Sequence, residues 1–182
     1  MGPGEAVVLP AREGRRIDWE AELAVVIGRR CRRVPAERAR EVVAGWTIAD
    51  DISARDRLYR DAPLAPPFGF DWFEAKAEDT SFPMGPGITP DWLVGDPQDL
   101  AIRLRVNGET KQDASTADMV CGVWDLIAAA SEVATLEPGD VIATGTPAGV
   151  GGPRGEFLAP GDEVTVEIEH VGVLRHTVVD SA

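Results

Sequence analysis

Apolar and polar positions change period several times along the chain, and each change predicts an element. Asp18-Trp-Glu-Ala-Glu-Leu-Ala-Val-Val-Ile-Gly28 is a nearly continuous, β-branched apolar run closed by a glycine, the pattern of a buried strand. Leu100 to Val106 alternates with a period of two and runs into Asn107-Gly108, a strong local hairpin signal. Val164, Val166 and Ile168 alternate again, and Gly172 marks a last hairpin. Val123, Leu126, Ile127, Ala130 and Val133 recur at helical spacing, which predicts one amphipathic helix over about 118–134. Pro35 to Gly45 opens on proline, carries good helix formers and closes on glycine, so a short helix is expected there. Ala6 to Leu9 reads as a short edge strand. Residues 57–74, rich in proline, aromatic and charged side chains, read as a long irregular loop, a kind of segment that often carries function. Ser81 to Pro90 is again dominated by proline and glycine. The sum is a strand-dominated α+β chain, mixed or mostly antiparallel rather than doubly wound.

Composition narrows the function classes. A chain of 182 residues is expected to form a single domain with room for a substantial core. Its 31 acidic residues against 18 basic ones give a formal charge of −13, which makes nucleic acid and anionic membrane poor partners. No stretch reads as a transmembrane span or a secretion signal. Cys31 and Cys121 have no metal-type spacing and no neighbouring partner, so a reducing cytoplasm is the expected compartment. A small anionic ligand would meet a repulsive field unless a local cation held it.

Two acidic clusters change the picture. On a strand Glu20 and Glu22 point the same way, because side chains alternate faces. Two like charges on one face repel, and a cation would relieve them. Asp50-Asp51-Ile-Ser-Ala-Arg-Asp56 ends a second apolar segment, Trp46 to Ala49. Carboxylates converging from two strand ends would make an all-oxygen site for a hard divalent cation such as Mg²⁺ or Mn²⁺. On the residues alone, acids alternating with apolar positions equally describe the wet face of a half-buried strand. Arg55, Lys76 and the turn Thr144-Gly145-Thr146-Pro147 are further candidates, the turn because its N–H groups and hydroxyls suit an oxyanion. Each also reads as an ordinary surface charge or turn.

Five segments occur together in a recognisable order: 18–28, Asp51-Ile-Ser-Ala-Arg-Asp56, Met84-Gly-Pro86, Val106-Asn-Gly-Glu109 and Leu136 to Gly151. In these the chain strongly resembles the catalytic, C-terminal domain of the fumarylacetoacetate hydrolase family, over about residues 2–179. The resemblance implies a mixed, rolled β-sheet, a homodimer, and a divalent cation, Mg²⁺ or Mn²⁺ with Ca²⁺ a further candidate, held by Glu20, Glu22 and Asp51. It places the family's active-site lysine at Lys76 and its motif arginine at Arg55, which would either contact the substrate or brace Asp51. It places the turn that meets the substrate carboxylate at Gly145 and Thr146. It implies chemistry on small anionic 2-oxo or β-dicarbonyl acids through a cation-stabilised enolate: C–C hydrolysis, decarboxylation or isomerisation.

Two departures from the family pattern bear on the reaction. The family carries an N-terminal extension whose lid supplies a histidine and a glutamate. This chain is expected to lack it, since it starts at Met1-Gly-Pro-Gly, after that region. Its histidines, His170 and His176, match no motif and read as surface or internally satisfied residues. Leu58 stands where the family has a glutamine that contacts substrate. Decarboxylation or tautomerisation is therefore favoured over hydrolysis, which needs an activated water. The alternatives are an impaired subunit that pairs with a full-length relative, or a module that binds an oxo acid without converting it.

Overall fold

The computed structural model describes residues 1–181. Strands β1 (Val7–Leu9), β2 (Ile17–Asp18), β3 (Ala21–Ile27), β4 (Val43–Asp50), β5 (Ser53–Ala54) and β6 (Met84–Pro90) form the N-terminal half. β7 (Ala101–Val106), β8 (Glu109–Ser115), β9 (Val141–Ala143), β10 (Glu163–Ile168) and β11 (Gly172–Asp180) follow, with helices α1 (Trp72–Lys76), α2 (Asp91–Val94) and α3 (Val123–Val133) between strands. One sheet runs β1-β11-β10-β7-β8 and a second β6-β4-β3-β9, with β2 and β5 paired alone. β1 lies parallel to β11 at an edge, and the other pairings are antiparallel, so the expected mixed-sheet, few-helix α+β class holds, without a closed barrel.

The core lies between the two larger sheets. Ala21, Leu23, Val25 and Ile27 of β3 share it with Ile102 and Leu104 of β7, Val164 and Val166 of β10, and Leu174 and Val178 of β11. These are alternate positions on every strand, as a buried sheet face requires. The other face of β3 carries Glu22, Ala24 and Val26, and all seven of its residues are buried. That two-sided burial explains a nearly continuous apolar run in place of simple alternation. Trp46 of β4 meets Trp124 of α3 edge-on, with ring centroids 5.8 Å apart, and this anchors the helix on the sheet.

Several expectations shift in detail. The helix expected over 35–45 is a 3₁₀ segment, Ala36–Val42, and β4 has begun by Val43. The Val42-Val43 pair favours an extended backbone. Gly45 is a mid-strand glycine rather than a helix stop. A Cβ there would sit 2.3 Å from the Thr89 carbonyl, so the residue lets β6 approach β4 closely. Ser81 to Pro90 delivers a strand in spite of its prolines, because β6 is at a sheet edge. The 118–134 helix starts at Val123 behind a 3₁₀ turn, Thr116–Asp118. The segment expected as a 57–74 loop is irregular only as far as residue 71, holding a 3₁₀ turn, Pro66–Phe68, and a bridge between Tyr59 and Phe70, and α1 has begun by Trp72. Leu58 is buried. No helix among the described residues is long and apolar enough to cross a membrane.

Candidate metal centre

Strand alternation decides which acids meet. β3 and β4 pair antiparallel with Ala21 opposite Asp50 and Glu22 opposite Ala49, so Glu22 leaves on the face away from the core. Glu20 precedes β3 with the same parity. Asp51 follows β4 directly, and its N–H donates to the Glu20 carbonyl at 2.9 Å, which locks the two strand ends together. As a result one carboxylate oxygen each from Glu20, Glu22 and Asp51 lie within 4.8 Å of one another. The adjacent Asp50, on the opposite parity, turns inward and is fully buried.

Two cations stand at this cluster. Lys76, at the end of α1, places Nζ 2.6 Å from Glu20 Oε2 and 2.8 Å from Asp51 Oδ2, and also donates to the Asp51 carbonyl at 3.1 Å. Asp71 caps the N-terminus of α1 by accepting from Glu74 N, and Ser81 Oγ donates to the Lys76 carbonyl, so both ends of this short helix are fixed. Arg55 lies between Asp18 Oδ1, 2.8 Å from its Nε, and Glu20 Oε1, 2.5 Å from its Nη2. It therefore braces Glu20 rather than Asp51. Asp56 faces away from the cluster, accepting from Arg12 and from Arg16 N.

Glu22 is 4% exposed and meets no side-chain cation directly. Burial pushes its carboxyl up to about 7, against the Gly145 N–H that donates to Oε2 at 2.7 Å, while the Asp51 and Glu20 charges push the same way as burial. Burial likewise raises Asp51 against the pull of Lys76, and raises Asp18 against the pull of Arg55. Burial would lower Arg55, but its bonds to Asp18 and Glu20 outweigh it and hold the guanidinium more firmly protonated.

The turn after β9 lies beside the acids, as its motif suggests, with a different first task. Thr144 Oγ1 donates to the Leu23 carbonyl at 2.8 Å, and Gly145 spends its N–H on Glu22. Thr146 Oγ1 accepts from Gln112 Nε2 at 2.8 Å. Gly145 sits at φ +94, and a Cβ there would meet nothing within 4 Å. Its free side borders a cavity of about 340 Å³ lined mainly by apolar side chains, among them Ile102, Met119, Leu126 and Pro147.

Three residues that matter here lie outside the set that the motifs single out. Asp18 is fully buried and accepts from Arg55 and from Gly152 N at 2.6 Å, tying the glycine-rich 149–152 segment to the site. Asp50 accepts from Glu20 N at 2.8 Å. Gln112 accepts from Ala21 N and donates to Thr146 and the Pro147 carbonyl, joining β8 to both. The two aspartates flank the acidic motifs, and asking what neutralises the opposite parity would find them. Gln112 has no signal in an ordinary alternating strand.

The chain is similar to known proteins over nearly its whole length. The family profile described as Fumarylacetoacetate (FAA) hydrolase C-terminal matches residues 1–179. The chain belongs to this family. A mitochondrial oxaloacetate tautomerase of Rattus norvegicus is 43% identical over 181 residues, covering 98% of this chain and 55% of that protein. The chain thus spans about half the length of the curated relatives it matches first. Among solved structures, a 5-carboxymethyl-2-hydroxymuconate delta-isomerase from Mycobacterium smegmatis is 40% identical with a TM-score of 0.87, covering 100% of this chain and 65% of that one. A maleylpyruvate hydrolase from Sphingobium sp. SYK-6, in complex with manganese (II) ion and pyruvate, is 39% identical with a TM-score of 0.86, covering 100% of this chain and 61% of that one. These family members carry out a tautomerisation, an isomerisation and a hydrolysis on related small acids.

Proposed function

We propose that this chain is a divalent-metal-dependent enzyme of the fumarylacetoacetate hydrolase family acting on small 2-oxo or β-dicarbonyl acids, with Glu20, Glu22 and Asp51 holding the ion. The observation that carries the reading is the convergence of those three carboxylates within 4.8 Å in a largely buried setting. The donor chemistry fits. Asp18, Glu20, Glu22, Asp51 and the adjoining Asp50 set five carboxylates against two cations, Arg55 and Lys76, a formal excess of negative charge that a divalent ion would reduce. All donors are oxygen, which suits Mg²⁺ or Mn²⁺ better than softer metals. Lys76 Nζ, bridging Glu20 and Asp51, already stands where positive charge is favoured. The manganese and pyruvate bound to the Sphingobium hydrolase support the same assignment.

Such an ion supplies Lewis acidity toward the carboxylate and keto oxygens of a 2-oxo acid. The protein's own groups do the rest. Lys76 provides a second positive charge and a proton-bearing Nζ beside the carboxylates, the group best placed to meet negative charge developing on substrate oxygen. Arg55 orients Glu20 and neutralises Asp18. Gly145 keeps Glu22 in place, and the Gly145–Thr146 turn stands between the carboxylates and the apolar cavity, whose lining includes none of the three acids. Its contact with both supports the turn as a substrate-binding element. Within the family range we favour tautomerisation or decarboxylation, because the buried Leu58 provides no polar contact and several relatives of the chain are oxaloacetate tautomerases. His170 is exposed in the β10–β11 turn and His176 is buried. A homodimer is supported by Ile88, Trp92 and Leu93, large apolar side chains exposed on and beside α2. Two free cysteines, Cys31 and Cys121, support a reducing compartment.

The test is turnover of oxaloacetate and short acylpyruvates with Mn²⁺ or Mg²⁺, by the wild type and by Glu22→Gln. Metal-dependent turnover abolished by the substitution supports the reading. Turnover that survives it unchanged refutes the role given to the carboxylates.

A further inference from the structure

Alternation places His176 in the row Leu174, His176, Val178 on the core face of β11, where the other two positions are apolar. A histidine in that row carries a desolvation penalty that a leucine would not. Its imidazole reaches across the core to the other sheet, with Nε2 2.8 Å from Asp50 Oδ2 and both side chains almost wholly excluded from solvent, at 1% and 0% exposure. Asp50 Oδ1 accepts the Glu20 N–H at 2.8 Å. The Glu20 carbonyl in turn accepts the Asp51 N–H at 2.9 Å. His176, Asp50 and the main chain of Glu20 and Asp51 are therefore linked by consecutive hydrogen bonds that run from the five-stranded sheet to the backbone of two of the three site residues. The other ring nitrogen of His176, Nδ1, has no partner among the described residues. The side chain's one polar contact is spent on Asp50.

We propose that His176 is a positioning residue for the carboxylate site. It orients Asp50, and Asp50 fixes the main chain from which Glu20 and Asp51 project. This inference rests on the metal-site reading above. His176 is not itself a group that touches substrate, because Asp50 stands between it and the site and water does not reach it. It is also no substitute for the lid histidine that the family resemblance implies. A buried carboxylate with two donors, Glu20 N and the imidazole, loses half of its support when the ring is removed, and it then relaxes toward any other donor it can find. The peptide it holds moves with it. Groups bonded directly to a metal's ligands commonly set affinity by about 10–100-fold when lost, and His176, which acts through Asp50 and the main chain, belongs at the low end of that range.

The experiment is calorimetric Mn²⁺ titration of the full chain as wild type, His176→Leu and His176→Gln, with each variant's unfolding midpoint measured in parallel. The Gln amide can place a donor near the position of Nε2, whereas Leu cannot. The expected result is manganese affinity weakened about 10-fold in His176→Leu and restored to within about threefold of wild type in His176→Gln. Should the Leu variant fail to fold, His176→Asn, polar but too short to span to Asp50, takes its place with the same expectation. A folded Leu or Asn variant that binds manganese as tightly as wild type, whatever its midpoint, would overturn the proposal. So would a Gln variant as impaired as the Leu variant, or loss of folding in all three. Failure of the wild type itself to bind manganese would refute the site reading, and this inference with it.

Discussion

Gly145 donates its main-chain N–H to Glu22 Oε2 at 2.7 Å, and this hydrogen bond is the direct polar tie between the turn after β9 and the buried acid of β3. It opposes, without cancelling, the burial that drives the Glu22 carboxyl to about 7.

A pH dependence follows from that value. Because the folded-state pKa of about 7 lies above the ordinary 4.5, the folded chain keeps a proton that the unfolded chain releases between those values. Stability of the metal-free protein should therefore fall as pH rises from about 4.5 to 7, with Glu22 alone contributing a loss of about 3 kcal/mol. Glu22→Gln should flatten that slope and unfold later than wild type at pH 8. Thermal melting in EDTA across this range checks it. A wild type that gains stability over the interval would contradict the assignment.

Metal binding should show the mirror image. Coordination needs the ionised carboxylate, so manganese must displace the Glu22 proton below pH 7. Affinity should rise between pH 6 and 8, with proton release that depends on the ionisation enthalpy of the buffer. Calorimetry in two buffers at pH 6.5 reads this directly.

Arg55 is expected to matter first for folding. Asp18 is fully buried and relies on Arg55 and Gly152 N. Arg55→Met should cost about 3–5 kcal/mol, because it strands a buried charge. Arg55→Lys should recover only part of this, since an ammonium cannot reproduce the guanidinium's two-sided reach to Asp18 and Glu20. Denaturant unfolding of the two variants provides the comparison.

Lys76 should separate chemistry from metal affinity. Its ammonium competes with the ion for Glu20 and Asp51, so Lys76→Met should bind manganese at least as tightly as wild type. Turnover should nevertheless fall by about 10²–10⁴-fold, the usual contribution of a placed proton-bearing group. Parallel manganese titration and kinetics with oxaloacetate would show weakened binding instead if Lys76 merely organises the site.

The fold is most legible in the sequence where one local rule dominates. The β3 run, the Asn107-Gly108 hairpin and the alternation at Val164 each fix an element by themselves, and all three occur in the structure. The parity of Glu20 and Glu22 anticipates two of the three converging acids on one face. The expected 18–28 strand nevertheless breaks at residues 19–20, and Glu20 keeps that parity just ahead of β3 through its main-chain bonds to Asp50 and Asp51. Residues 36–45 mislead because helix formers and a terminal glycine resemble a capped helix. The need to bring β6 against Gly45 arises only from tertiary pairing. His176 gives no local signal for a related reason: a polar residue inside a core is explained by its partner, and Asp50 lies 126 positions away. Arg55 stays open at the level of sequence between contacting substrate and bracing Asp51. Its actual partners, Asp18 and Glu20, depend on a side-chain path that no motif encodes.

Joint capture of one hard divalent ion by Glu20, Glu22 and Asp51 is tested most directly by an anomalous difference map from crystals of the wild-type protein grown with MnCl₂. The expected map has a single strong peak per chain bounded by those three carboxylates, with Lys76 withdrawn from at least one of its two present partners. A map without a peak there, and with Lys76 still bridging Glu20 and Asp51, would contradict the assignment.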